Sequence, residues 1–324
     1  MDMVNTNEMN RREFGKLAMA GALGLASGAA LNKATAAKEG DVDRLQTHLF
    51  SKCLQFMDYE EMSEAAVQMG FDGLDLTIRP GGHVEPVRAD EDLPKAVSTM
   101  SAHGLVSKMF VSRVTRVDDE AGIHSLKTAS ELGYEYYRLG YYKPDKEGGM
   151  LANLERAREA FKGLAAFNES QGLHGAYQNH AGHNIGAYVT DIAYLLEGLH
   201  PRWAGCQYDV LHATVEGGLA WPLGLRYVKD YLSTIVIKDF RWAKINGKWR
   251  VEDVPFGEGM VDFDRYFKIL RSYGARPLVS FHLEYDLGGA ERGRREINMP
   301  KKEILAAIKR DLARFHEAWA ASAA

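Results

Sequence analysis

Along residues 45–324, short apolar or β-branched runs alternate with helical patterns eight times, and that beat constrains the fold more than any other feature. The runs Thr47–Cys53, Gly73–Ile78, Leu105–Val111, Tyr134–Gly140, Gly172–Gln178, Gly205–Val210, Ser233–Phe240 and Pro277–Leu283 read as strands. One residue near the end of each (His48, Asp75, Lys108, Arg138, Gln178, Asp209, Lys238, His282) gives spacings of 27 to 44 residues, close to one βα unit. Between the runs, Tyr59–Met69, Leu93–His103, Asp119–Leu132, Leu151–Gln171, Val189–Leu199, Asp262–Tyr273 and Pro300–Trp319 read as helices. Several stop at a glycine (Gly70, Gly104, Gly133, Gly172, Gly274), suited to the left-handed position after a helix. Eight strand–helix repeats predict an α/β chain folded as one (β/α)8 TIM barrel over residues 37–324. A doubly wound sheet fits less well: no glycine-rich phosphate loop follows the first run, and six strands would leave two unplaced.

The segment before the barrel has a different character. Arg11-Arg12 precedes Leu17–Leu31, fifteen uncharged residues of Ala, Gly, Leu and Met with one Ser, and Ala34-Thr35-Ala36 follows. This pattern matches a twin-arginine export signal over residues 1–36, too short and too weakly apolar for an anchor. It predicts a periplasmic protein that meets the membrane only during export. Of 40 basic and 44 acidic residues, four and three lie in 1–36, so 36 and 41 remain in the barrel. That mildly acidic balance argues against nucleic acid as a partner. With two cysteines, Cys53 and Cys206, no disulfide framework is expected.

Phe240–Val251 carries Asn246-Gly247 between alternating residues, the signal of a type I′ turn. A β-hairpin should therefore project after the seventh barrel strand, and Trp242 and Trp249 on it could wall a sugar site. Side chains two apart on a strand share a face. On one parity Gln178, His180, Gln207, Asp209, Lys238, His282 and Glu284 converge on the barrel mouth. Carboxylates, imidazoles and an amine at one rim are costly to desolvate unless paired or bound to a metal. With oxygen and imidazole donors and no thiolate, the metal expected is one divalent ion: Mn, Co, Zn or Mg.

Asp209-Val210-Leu211-His212, Ile237-Lys238-Asp239 and Pro255-Phe256-Gly257-Glu258-Gly259-Met260-Val261-Asp262-Phe263 look like DxGH, HxKD and PxGEGxxDF signatures. In these the chain resembles the xylose-isomerase-like sugar isomerase/epimerase barrels, a family that includes inosose dehydratases and endonuclease IV. The resemblance implies one divalent metal held by Glu, Asp, His and Glu on strands five to eight. This chain has Gln178, Asp209, Val236 and His282 there. The expectation is a rebuilt metal site of Gln178, Asp209 and His282, with His180 or Glu284 in support. The alternative is a metal-free pocket in which Lys238 takes the place of a cation.

Either version suits abstraction of a proton next to a carbonyl and stabilisation of the enediolate. Glu284 is the expected base, His212 or His180 its proton-returning partner, and Lys238 the electrostatic stabiliser. Arg79, His83 and Arg138 are expected substrate contacts, with Trp242. The expected function is a periplasmic isomerase or epimerase of a non-phosphorylated sugar or keto-sugar. A lyase that cleaves 3-keto-glycosides by elimination is the alternative, and a non-catalytic sugar-binding barrel the second. The C-terminal helix could cover the barrel or join subunits in an oligomer.

Overall fold

The computed structural model describes residues 43–146 and 148–323, so the expected export segment lies outside the described residues. Strands β1 (Thr47–Phe50), β2 (Gly73–Thr77), β3 (Met109–Val111), β4 (Tyr136–Arg138), β5 (His174–Gln178), β6 (Ala204–Asp209) and β7 (Leu232–Ile237) run parallel around a barrel. The antiparallel hairpin β8 (Asp239–Ile245) and β9 (Lys248–Val254) follows, and β10 (Leu278–Phe281) closes the barrel between β7 and β1. The (β/α)8 reading and the hairpin after the seventh barrel strand both hold. At the hairpin tip Asn246 and Gly247 have φ of 50° and 77°, the paired positive values that a type I′ turn demands.

Most strands are shorter than their apolar runs, because residues beyond the ladder still turn inward. The first run shows why. Ser51 Oγ accepts the Thr77 amide at 3.0 Å and bends the chain into a 3-10 turn over Ser51–Leu54. Cys53 therefore lies in that turn rather than on the strand, and both cysteines are buried free thiols.

The outer helices are α1 (Tyr59–Met69), α2 (Ala89–Ala102), α3 (Glu120–Glu131), α4 (Gly149–Gln171), α5 (Val189–Leu196), α6 (Val210–Gly217), α7 (Trp221–Val228), α8 (Phe263–Ser272) and α9 (Lys301–Ala321). The pair α6 and α7 was not predicted. Gly217, Gly218, Pro222 and Gly224 interrupt the apolar period there, and tertiary packing of Leu225 and Val228 overrides their weak propensity. Helix α9 covers the barrel, burying Ile304, Ile308, Leu312, Phe315 and Trp319. Phe315 meets Phe281 and Phe267 at 5.9 and 5.7 Å between ring centroids, each pair contributing roughly 0.5–1.5 kcal/mol beyond its buried area. Among the described residues, no helix is long and apolar enough to cross a membrane.

Candidate active site

The late strands bring their polar ends to one point. Asp209 closes β6 and caps α6, accepting the His212 amide at 3.2 Å, which explains a carboxylate three residues before an imidazole. Asn179 holds the ends of β5 and β6 together: its Oδ1 accepts the Asp209 amide and its Nδ2 donates to the Asp209 carbonyl, both at 2.8 Å. Lys238, directly after β7, points its ammonium into this corner. Nζ donates to His212 Nε2 at 2.8 Å and Glu284 Oε2 at 3.0 Å, and lies 3.3 Å from Asp209 Oδ2. The other Glu284 oxygen accepts from Lys52 at 2.9 Å.

These contacts decide the charge states. Burial works against the Lys238 ammonium, but Asp209 and Glu284 outweigh it and raise its pKa. Burial alone would raise the Glu284 carboxyl; Lys238 and then Lys52 reverse this and hold it well below the usual range. Desolvation, then Lys238, keeps His212 and His282 well below an ordinary imidazole, so both are neutral at physiological pH.

The expected metal ligands are gathered, but their arrangement does not fit a divalent ion. Gln178 Oε1 already accepts from Arg138 at 2.8 Å and Tyr141 at 2.6 Å, while its amide donates to Asp209 Oδ2 at 2.8 Å. Asp209 is thus taken by an amide, a helix N-terminus and an ammonium. Val236, fully buried opposite Asp209, offers no donor. A dication here would stand beside the Lys238 ammonium, whose repulsion the committed oxygens could not offset. Among the described residues no group of three or more His, Cys, Asp or Glu side chains is disposed to hold a metal ion. As placed, Gln178, Asp209 and His282 do not fit the expected rebuilt site, because Lys238 occupies the centre of the carboxylate cluster.

Beside this cluster a cavity of about 400 Å³ is bounded by His180, His212, Asp253 and Glu284. His180 Nδ1 donates to the Ala181 carbonyl at 2.9 Å. This fixes the neutral tautomer and leaves the Nε2 lone pair free. The His180 and His212 rings lie 3.9 Å apart. Asp253 comes from β9, and burial, then the Glu284 charge, raises its carboxyl above an ordinary aspartate. A larger groove of about 800 Å³, between Arg116 and Arg156, lies elsewhere, and every charged side chain lining it is solvent exposed.

The opposite side of the mouth rests on Phe50. His282 stacks on its ring at 4.3 Å, and the guanidinium carbons of Arg79 and Arg138 lie 5.5 and 5.7 Å from its centre. Beneath, Ser280 Oγ donates to Asp75 Oδ2 and lies 3.0 Å from His282 Nε2. With the hydroxyl proton spent on Asp75, His282 Nε2 must donate and Nδ1 keeps its lone pair. Burial raises the Asp75 carboxyl from 3.8 to about 6. A raised folded pKa means stability that is full below the unfolded value and lost as pH rises through the folded one. The stability of the wild type relative to Asp75→Asn should therefore fall between pH 4 and pH 6, by up to about 1.4 kcal/mol per pH unit, and then level off. Urea unfolding at four pH values measures this; a constant difference would refute a raised Asp75.

Two expected substrate contacts are placed otherwise. His83 is held by its own chain, with Nδ1 at 3.1 Å from both Ser51 Oγ and Thr77 Oγ1 and Nε2 at 3.3 Å from the Leu54 carbonyl. No ring nitrogen is left for a substrate. The neighbouring Gly82 approaches Thr77, since a Cβ there would stand 2.6 Å from that carbonyl oxygen. Trp242 is 44% exposed, edge-on to Phe240, and does not bound the cavity; Val251 and Asp253 do. Asp239 makes no ion pair with Lys238. It accepts the amides of Phe240, Gly257, Gly259 and Val261, and so fastens the Pro255–Phe263 loop. Gln207, expected at the mouth, lies buried within the barrel with Oε1 unpartnered. Lys52, Phe50, Tyr141, Asn179, Ser280 and Asp253 were not singled out in the sequence. Only Asp253 carried a signal, lying two residues from Val251 on the inward parity of the hairpin.

A closed (β/α)8 barrel with ionisable side chains gathered at the carboxyl ends of β5, β6, β7 and β10 is laid out as barrel enzymes are. The chain belongs to the xylose isomerase-like TIM barrel family, whose model matches residues 63–299. Among solved structures it is similar to D-allulose 3-epimerase from Methylomonas sp., with 16% identity, 84% of this chain and 98% of that one covered, and a TM-score of 0.61. It is also similar to 3-keto-D-glucoside 4-epimerase from E. coli, at 14% identity, 85% and 100% coverage and a TM-score of 0.61. The probable 3-DHS dehydratase from Bacillus anthracis aligns at 14% identity, 83% and 99% coverage and a TM-score of 0.60. At these identities the likeness is one of fold. A search of curated proteins found no match.

Proposed function

We propose that this chain is a sugar isomerase or epimerase that moves a proton at a carbon next to a carbonyl, on a keto-sugar and without a divalent metal. The observation that carries the reading is His180: its tautomer is locked by Ala181, its Nε2 is left without a partner, and its ring borders the cavity that Glu284 also lines, the carboxylate on which Lys52 and Lys238 are fixed. The base role passes from Glu284 to His180, because two lysines hold Glu284 ionised and make it a weak base. Burial, then Lys238, lowers His180 below an ordinary imidazole, so it is neutral and ready to accept a proton. As the C–H bond breaks, its electron pair moves onto the carbonyl oxygen, where Lys52 and Lys238 supply positive potential. Asp253 then returns a proton to the other face of the carbon; His180 releases the proton it took to solvent, and Asp253 is reprotonated from solvent.

The lyase reading is kept for one reason. A carboxyl that holds its proton more readily than a free aspartate could equally protonate the oxygen of a departing aglycone. That one similar structure is a 3-keto-D-glucoside 4-epimerase, and another a D-allulose 3-epimerase in complex with D-allulose, supports a small sugar for either reading.

The test is NMR in D2O with free keto-sugars and 3-keto-glycosides, before and after dialysis against EDTA. The expected result is exchange of the α-proton with epimer formation, unchanged by the chelator. Aglycone release would transfer the assignment to the lyase, binding without exchange at any pH would leave a sugar-binding barrel, and loss of exchange with EDTA would overturn the metal-free site. The working compartment is the periplasm on the strength of Arg11-Arg12 and the apolar run. Replacing both arginines by lysine should strand the chain in the cytoplasm, as fractionation would show; undisturbed export would refute the signal.

A further inference from the structure

We propose that Arg79 and Arg138 form a carboxylate subsite at the barrel mouth, and that the substrate is an acidic sugar of the hexuronate class. The inference deepens the sugar-converting reading above and rests on it.

Cations on the two sides of the mouth are treated differently. Lys52 and Lys238 are both fixed on carboxylates. Across Phe50, the Arg79 guanidinium makes no hydrogen bond or ion pair among the described residues, although the side chain is only partly exposed. Arg138, only 7% exposed, spends Nη1 on two neutral partners, Gln178 Oε1 at 2.8 Å and Tyr141 Oη at 3.3 Å, and leaves its buried Nε with none. The nearby carboxyl, Asp75, gives one oxygen to Ser280, keeps the other buried without a hydrogen-bond partner, and lies beyond ion-pair distance of either guanidinium. Two like charges over one ring, neither held in an ion pair, are costly to keep in a low-dielectric corner. An anionic group on the ligand offsets that cost.

The chemistry of that group follows from what else is present. The amides of the loop after β2 are used within the loop: Gly81 N–H donates to Glu85, Gly82 N–H to the Arg79 carbonyl and His83 N–H to Thr77. No nest of free amides is left here to cradle a phosphate. Recognition falls to planar guanidinium forks, which match a flat carboxylate two oxygens at a time. Position agrees. Tyr141 bridges from Arg138 to the His180 ring at 5.1 Å, so an anchored carboxylate would present the sugar ring to the proton-transfer groups.

Isothermal titration of the purified chain at low ionic strength, with D-glucuronate, D-galacturonate and D-mannuronate, the corresponding hexoses and their 6-phosphates, tests this. At least one hexuronate should bind about tenfold or more tighter than its hexose. That ratio should shrink with added salt, and should fall below about twofold in Arg79→Gln, whose fold is checked by thermal unfolding. Equal affinity for hexuronate and hexose, a preference that survives in Arg79→Gln, or tighter binding of the 6-phosphates would overturn the subsite. Hexuronate binding with no proton exchange in D2O would support the subsite and overturn the catalytic reading, and no binding by any sugar would overturn both.

Discussion

Replacing His180 with alanine should lower α-proton exchange by about two to four orders of magnitude, the range that a positioned general base contributes. The ring is anchored through Nδ1 and its other nitrogen has no partner, so alanine removes the lone pair while Asp209, Lys238 and Glu284 keep their mutual contacts. Thermal unfolding should change little, and added imidazole should restore part of the exchange. The pH profile follows from the direction of the shift. A base must be unprotonated to act, and His180 is lowered from 6.5 by burial and by Lys238. The acid limb of kcat/KM should therefore fall below pH 6.5 and be missing from the residual activity of the variant. Undiminished exchange in His180→Ala would remove His180 from the mechanism and return the base role to Glu284 or Asp253.

Lys238→Met is expected to be costly in a different way. Its ammonium is the shared counter-charge of Asp209, which has no exposure, and of Glu284. Removing one partner of a buried ion pair leaves the other uncompensated and typically costs about 3–5 kcal/mol. Denaturant unfolding should show that loss at pH 7, together with loss of exchange. A second substitution separates charge from packing: in Lys238→Met with Asp209→Asn one orphaned carboxylate is gone, and part of the stability should return. The sign with pH is also set. The folded Glu284 pKa is depressed, so its contribution is present above the unfolded value near 4.5 and is lost as pH falls through the folded one. The variant should accordingly lack much of that acid-side loss. A Lys238→Met protein as stable as wild type would mean that the ammonium does not hold the cluster together.

Several elements are legible in the sequence alone. Helix Tyr59–Met69 begins after Asp58, which caps it, and ends at Gly70 with φ of 101°, so both signals were local. Asn246-Gly247 announced the hairpin by the same kind of chemistry. The convergence of Gln178, Asp209, Lys238 and Glu284 followed from strand parity, because residues two apart must share a face whatever surrounds them.

Roles were not legible in that way. The metal expectation counted donor atoms, and counting cannot show that Gln178 Oε1 already serves Arg138 and Tyr141. His83 sat beside two glycines like a ligand-facing residue, yet Ser51, 32 positions away, claims its ring. Asp253 reaches the cavity only because the hairpin folds back over the mouth.

The sequence by itself determined the barrel, the hairpin and the rim at which polar side chains collect. All three depend on periods of two and about 3.6 residues and on local turn and capping chemistry. Only the tertiary structure decided which atoms at that rim are spoken for and which are free. Lys238 at the centre of two carboxylates and two arginines without an ion-pair partner are outcomes of contacts closed across tens to hundreds of residues. Each donor and acceptor can be satisfied only within about 3 Å, a constraint with no image in the linear chain.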